Sequence, residues 1–173
     1  MNFTSNRIVK NTVLLLSLLF SFLIIAKAQN VTSEYSIAIG LKSLPGGISF
    51  KQFISKNNAL EGILYFDKDV TRVSALYEFY YDIPSSIEGL KWFIGPGIHA
   101  GNWTNRYKAN NPNISGNKTL GIGLDAIIGI DYKIDALPFD ISFDWQPSIN
   151  LNSNAYFNEG VTWGGVAIRY TIK

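Results

Sequence analysis

The sequence predicts an all-β protein, an eight-stranded antiparallel up-and-down transmembrane β-barrel that follows a cleaved signal peptide. Three observations support this fold class. Apolar and polar residues alternate with a period of two from residue 33 onward, and no stretch keeps the apolar spacing of a helix. The N-terminus is a short apolar segment that ends in small residues. Aromatic residues make up 14% of the chain and charged residues only 16%, against about 25% charged residues in a typical soluble domain.

Residues 1–28 have the organisation of a secretory signal peptide. Arg7 and Lys10 precede an apolar stretch from Val13 to Ile25. Residues 26–28, Ala-Lys-Ala, then provide the small side chains that signal peptidase recognises. The stretch is shorter than the roughly 20 apolar residues that a membrane-spanning helix needs. We therefore expect cleavage after residue 28, which leaves residues 29–173 as a single domain.

Charge and cysteine content exclude several classes of protein. Without the signal peptide, twelve basic residues face thirteen acidic ones, so the net charge is −1. This charge provides no basic surface for nucleic acid. Cysteine is absent, so an exported domain has neither disulfides nor a lipidated anchor at the cleavage site.

The first four predicted strands cover residues 34–42, 48–54, 60–66 and 72–81. Each ends at a group of turn-forming residues, which are Pro45-Gly46-Gly47, Asn57-Asn58, Asp67-Lys68-Asp69 and Pro84-Ser85-Ser86. The fourth strand alternates most clearly. Its apolar face is Val73, Ala75, Tyr77, Phe79 and Tyr81, opposite Arg72, Ser74, Leu76, Glu78 and Tyr80.

The last four predicted strands cover residues 91–99, 120–133, 139–146 and 161–172. An even number of strands places both ends of the mature chain at one end of the barrel. The longest connections, residues 102–118 and 152–160, then lie together at the opposite end, whereas residues 134–137 form a short turn. In an outer-membrane barrel the long connections are extracellular.

The two faces of the strands differ in composition. The apolar face is almost purely aliphatic and aromatic, and its aromatic residues tend toward strand ends, where membrane interfaces lie. Those residues are Tyr77, Tyr81, Trp92, Tyr132, Trp145, Trp163 and Tyr170. The polar face combines glycine and serine with six acids and six bases, which are Glu61, Glu78, Asp125, Asp131, Asp140, Asp144, Lys42, Lys51, Arg72, Lys91, Lys133 and Arg169. Balanced charges among small residues favour a narrow lumen in which charges pair.

An eight-stranded barrel has an interior just wide enough for its own side chains. We therefore expect a structural ion-pair network in the lumen, with a conduit for small molecules as the alternative. The predicted network consists of Glu61, Arg72, Glu78, Lys91, Asp125, Asp131, Lys133, Asp140, Asp144 and Arg169. The same alternation also fits a soluble periplasmic lipid-binding barrel whose apolar face points inward.

Motifs for catalysis, metals and cofactors are weak. His99 is the single histidine, and an enzyme would pair it with Asp125 or with a loop serine such as Ser115. Asp67-Lys68-Asp69 has too few ligands for a calcium loop, and no pattern predicts another metal or a cofactor. Candidate contacts with partner molecules are loop aromatic residues, Trp103, Tyr107, Tyr156 and Phe157.

Four segments carry a family resemblance. They are residues 58–64 (NALEGIL), 95–103 (GPGIHAGNW), 123–133 (GLDAIIGIDYK) and 142–147 (SFDWQP). Together they resemble the small outer-membrane β-barrel proteins of Bacteroidota, which are described as porin-like or β-barrel-domain proteins. The resemblance implies a location in the bacterial outer membrane, with membrane lipid and the outer-membrane assembly machinery as partners. Such barrels usually end on an aromatic residue, whereas this chain ends Tyr170-Thr171-Ile172-Lys173, and we interpret the lysine as an extension.

From these patterns we expect a non-enzymatic membrane protein whose outer loops contribute to envelope integrity, adhesion or binding of an extracellular partner. The alternatives are a small-molecule conduit or a barrel enzyme that uses His99 and the lumen carboxylates, and the soluble lipid-binding barrel.

Overall fold

The computed structural model describes residues 37–67, 70–84, 87–103, 120–134, 136–151 and 163–172. These residues form nine β-strands: β1 Ile37–Ser43, β2 Gly46–Ser55, β3 Asn58–Phe66, β4 Val70–Asp82, β5 Leu90–Trp103, β6 Leu120–Ile134, β7 Phe139–Gln146, β8 Ser148–Asn150 and β9 Trp163–Ile172. Within these ranges, no helix has the length and apolar character needed to cross a membrane.

The nine strands form one closed antiparallel barrel with eight strand positions. Strands β1 to β6 pair in sequence order, and β7 pairs with both β6 and β9. The β1–β9 ladder then closes the barrel. Strands β7 and β8 share one position because both pair with β6 in the same register, with Pro147 between them. Proline has no amide hydrogen for the ladder, but its carbonyl still accepts from the Ala126 amide at 2.9 Å. The predicted eight-stranded antiparallel barrel is confirmed.

The register fixes the tilt of the strands. Paired residues can be followed once around the barrel from β5 back to β5, through Leu90, Tyr132, Ile141, Ile168, Leu41, Ile48, Leu64, Val73 and Ala100. The path returns ten residues further along β5, which is the shear of the barrel. For eight strands at the usual spacing and rise, this shear gives a tilt of roughly 40° and a backbone radius of about 8 Å.

Strand boundaries differ from the predicted ones at a few places. Strand β2 begins at Gly46 because the first turn consists only of Leu44 and Pro45, and β5 continues to Trp103. Several predicted features lie outside the described residues. They are the signal peptide, residues 34–36 of the first predicted strand, residues 161–162 of the last one, and the loop residues Tyr107, Ser115, Tyr156 and Phe157. Of Trp103 only the backbone is described.

Inward-facing glycines leave the space that lumen side chains occupy. A Cβ atom on Gly129 would lie 2.6 Å from both the Phe143 carbonyl oxygen and Cζ of Phe93. The outward-facing Gly62 is different, because its nearest neighbour would be the Phe50 carbonyl oxygen at 4.0 Å. Glycine is therefore required by packing at the first position and not at the second.

We expect Gly129→Ala to lower the free energy of unfolding by about 1–3 kcal/mol, because the added methyl group must displace packed neighbours. The matched control Gly62→Ala should stay within about 0.5 kcal/mol of the unchanged protein. Urea unfolding in detergent micelles, followed by tryptophan fluorescence, measures both values. Equal losses in the two variants would contradict the packing argument.

The prediction that Trp163 lies on the apolar outer face of the barrel is wrong. This side chain is only 6% exposed and points into the lumen, where its ring lies 4.9 Å from that of Tyr65. The Arg72 guanidinium carbon lies 4.5 Å from the Trp163 ring centroid. Gly164 and Gly165 follow with φ angles of +136° and +118°, and residues 163–165 are all buried. These two glycines interrupt the alternation, so the period of two could not place Trp163 correctly.

Candidate functional site

The lumen is lined by buried polar side chains from all eight strand positions. Two clusters are distinct. We call the first the ionic layer: Lys51, Glu61, Glu78, Asp131, Asp140 and Arg169. We call the second the histidine cluster: Arg72, His99, Asp125, Ser148 and Asn150. The ionic layer is nearer the barrel end at which Ile37 pairs with Ile172, here called the terminal end.

Lys51 lies at the centre of the ionic layer. Its ammonium group is 2.9 Å from Glu78 Oε2, 3.5 Å from Asp131 Oδ2 and 3.8 Å from Glu61 Oε2. It also donates a hydrogen bond of 2.6 Å to the Tyr80 hydroxyl. The Lys51 side chain is fully buried, so these groups replace all of its solvation.

Arg169 holds the other side of the ionic layer. Its Nη2 atom pairs with Glu61 Oε1 at 2.5 Å, and its Nη1 atom is 3.7 Å from Asp140 Oδ1. The guanidinium also donates from Nε to Ser49 Oγ and from Nη1 to Ser142 Oγ, each at 2.8 Å. One buried guanidinium thus connects strands β2, β3 and β7 to β9.

Aromatic rings cover the ionic layer toward the terminal end. The rings of Phe53 and Tyr80 have centroids 4.9 Å apart, and those of Tyr80 and Phe93 stack at 5.2 Å. All three side chains are buried. The Lys51 ammonium lies 4.6 Å from the Phe93 centroid, within the range of a cation–π interaction. These described side chains fill the lumen at this level, as expected for a barrel of this size.

The histidine cluster lies toward the opposite end of the barrel. Arg72 Nη2 donates to Asp125 Oδ1, and His99 Nδ1 is 2.9 Å from the same oxygen. The other ring nitrogen of His99 is 2.5 Å from Asn150 Oδ1. Arg72 Nη1 also donates to Ser148 Oγ at 3.1 Å. The cluster therefore links β4, β5 and β6 to the short strand β8.

Eight of the ten residues in the predicted network lie in these buried clusters or in a separate pair. The pair is Asp144 with Lys42, whose Nζ is 2.8 Å from Asp144 Oδ1. Lys91 and Lys133 are not brought together with the other eight. Lys91 lies at the rim, 3.6 Å from the exposed Asp82 carboxylate, and Lys133 donates to two turn carbonyls at 2.7 Å. Both lysines are close to strand ends, where a long side chain can reach the rim.

Sequence reasoning left several lumen residues out of the predicted network. Two of them are Lys42 and Lys51, which are buried in the lumen. The alternation had placed both on the polar face, so it contained the signal needed to add them to the network. The alternation also places Tyr80 and Tyr65 on the inward face, where both are buried, but an aromatic residue in that pattern does not indicate which polar group its hydroxyl contacts. The Tyr65 hydroxyl donates to Gln146 Oε1 at 2.7 Å, across 81 residues of sequence.

The chemistry of the site is limited by its contacts. His99 does meet Asp125, as an acid–base pair requires. However, its second nitrogen is taken by Asn150. Within the described part of the chain, no group of three or more histidine or acidic side chains is arranged to hold a metal ion. The arrangement best fits a packed, charge-paired interior.

Comparisons with protein-family models, with curated proteins and with solved structures returned no match to this chain.

Proposed function

We propose that this chain is an integral outer-membrane β-barrel protein of non-enzymatic type, whose outer loops contribute to envelope integrity, adhesion or partner binding. The observation that carries the proposal is the exposed apolar face of the barrel. Large apolar side chains are exposed around its whole circumference, with Leu41 at 71%, Ile98 at 60% and Phe143 at 59%. Soluble monomers rarely expose a continuous apolar surface of more than a few hundred Å².

The height of the apolar surface fits a membrane. On β6 the outward-facing side chains from Ile122 to Tyr132 are all apolar or aromatic. At a rise of about 3.3 Å per residue and a tilt of roughly 40°, the ten steps from Ile122 to Tyr132 cover about 25 Å along the barrel axis. The apolar band of outer-membrane barrels is about 25 Å tall.

Aromatic side chains line the outside of the terminal end on the adjacent strands β4, β5, β6, β7 and β9. Tyr81 and Trp92 stack with ring centroids 4.5 Å apart, and Phe139 and Tyr170 meet edge to face at 5.6 Å. Tyr132 lies beside them on β6. Amphipathic rings in this position are typical of the girdle at a membrane–water interface.

The distribution of charge gives further support. A soluble lipid-binding barrel keeps its apolar side chains inside and its charges in water. Here Lys51, Glu61 and Arg169 are among the most buried side chains, whereas Ile128 and Ile168 are exposed. The strand ends at Trp103, Leu120, Asn150 and Trp163, which flank the chain connections 104–119 and 151–162, are at the barrel end opposite the terminal end. These connections are the segments available for contact outside the cell.

Cell fractionation tests the location. We expect the protein in the outer-membrane fraction, extracted only by detergent, with unboiled samples migrating faster on a gel than boiled ones. Recovery of the folded protein from the soluble periplasm without detergent would refute the proposal.

A deletion in the outer loops tests their role. Shortening the connection between β5 and β6 should abolish binding of the barrel to an extracellular partner, while the heat-dependent gel shift of the folded barrel remains.

A further inference from the structure

The ionic layer has more buried carboxylates than cations. Lys51 and Arg169 face four acidic side chains, which are Glu61, Glu78, Asp131 and Asp140, and all six residues are at most 3% exposed. Outside this layer, the lumen pairs Lys42 with Asp144 and Arg72 with Asp125 one to one. Of the three carboxylates around Lys51, which are Glu61, Glu78 and Asp131, Glu61 alone pairs with a second described cation, Arg169. Uncompensated charge is very costly in a buried site, so such a site favours uptake of a positive charge.

Two of the four carboxyl groups are diagonal neighbours on the inward face of the strands β3 and β4. Glu78 pairs with Ala59, two residues before Glu61, and long side chains in this diagonal relation are able to meet. Both also surround the Lys51 ammonium group, at 3.8 Å and 2.9 Å. Two ionised carboxylates have no hydrogen to share, so a direct contact between them is repulsive.

The hydrogen-bond pattern shows where a hydrogen is missing. Glu61 Oε1 accepts from Arg169 and from Ser49 Oγ, and Glu78 Oε2 pairs with the Lys51 ammonium at 2.9 Å. The Tyr80 hydroxyl lies 3.2 Å from Glu78 Oε2, but its one hydrogen has a shorter acceptor in Asp131 Oδ2, at 2.9 Å. The remaining oxygen of each group, Glu61 Oε2 and Glu78 Oε1, is buried and accepts no hydrogen bond. Each carboxyl group in the contact therefore has one buried oxygen without a donor.

We propose that Glu61 and Glu78 form a proton-binding site, in which a proton carried on Glu78 Oε1 is donated to Glu61 Oε2. Glu61 is the ionised partner because it receives the Arg169 guanidinium and the Ser49 hydroxyl. The proton provides the missing donor and neutralises one of the buried carboxylates. A metal cation is less suited to this position, because the Lys51 ammonium already lies between the carboxylates.

Infrared spectroscopy of the purified, folded protein in detergent tests this proposal. We expect a C=O stretching band of a protonated carboxyl group at neutral pH, and the band should shift when the protein carries glutamate labelled with 13C at the side-chain carboxyl group. Absence of the band, or a band that does not respond to labelled glutamate, overturns the proposal. This first measurement needs no variant.

Substitutions then assign the band. Glu78→Gln should remove it and keep the barrel folded, because the amide N–H can donate to Glu61 in place of the proton. The control Asp82→Asn, at the exposed rim, should leave the band unchanged. A band that persists in folded Glu78→Gln overturns the assignment.

The choice of buffer cation distinguishes a proton from a metal ion. With the unchanged protein, replacing an organic cation in the buffer by sodium should leave the carboxyl band unaltered, and loss of the band in sodium would identify a bound metal cation instead. None of these results depends on the cellular location of the protein.

Discussion

Replacing Arg169 with methionine is expected to lower the free energy of unfolding by about 3–5 kcal/mol, because it leaves buried carboxylates without their counter-ion. Arg169 is fully buried and pairs with Glu61, and its Nη1 lies 3.7 Å from Asp140. Methionine fills a similar volume, so the loss should reflect charge and hydrogen bonding more than a cavity. Ser49 and Ser142 each lose a donor in the same variant.

Lys91→Ala is the matched control for this prediction. It also removes a basic residue, but its pair with Asp82 is at the rim, where the carboxylate is 76% exposed. Ion pairs of this kind contribute about 0–1 kcal/mol. Urea unfolding in micelles, followed through the four tryptophans, measures both variants. Similar stabilities for the two would show that the ionic layer does not hold the barrel together.

Ile128→Arg is expected to cost about 2–4 kcal/mol of folding free energy in a lipid bilayer, because it places a charge on the lipid-facing surface near mid-height. Ile128 is 42% exposed and lies near the middle of β6, between Leu124 and Tyr132 on the same face. Ile134→Arg is the control on the same strand, at the terminal end, where the cost should fall to about 0–1 kcal/mol.

Folding into lipid vesicles from urea provides the measurement. The fraction of each variant that folds is read from the heat-dependent gel shift at increasing urea. A soluble barrel would give a different result, because arginine at an exposed position is then nearly neutral. Equal behaviour of the two variants would contradict the lipid-facing assignment of this surface.

Much of the fold follows from local sequence, because a strand with two different environments must alternate. The faces of β4, β6 and β7 could therefore be assigned residue by residue, and the buried residues Arg72, Asp125 and Asp144 lie on the predicted side. The specific pairs could not be predicted in the same way. Arg169 and Glu61 are 108 residues apart, and their contact depends on the shear that all the ladders set together.

Two kinds of local exception limited the prediction further. Trp163 precedes two glycines with positive φ, and this backbone change turns its side chain inward. Lys91 and Lys133 have the correct parity for the lumen, but their long side chains reach the rim and a turn. Alternation determines the direction of the Cα–Cβ bond, whereas the position of a flexible charged end depends on neighbours that the pattern does not contain.

The ladder between β1 and β9 joins the two ends of the folded chain, with Ile37 opposite Ile172. Long-range pairing of this kind makes folding slow, because a large loop must close before the contact forms. The same final strand carries Arg169 to Glu61. A barrel that lacks β9 would therefore have an open edge between β1 and β7 and a Glu61 carboxylate that has lost the guanidinium on its Oε1 atom, so β9 completes the barrel wall and its interior in a single step.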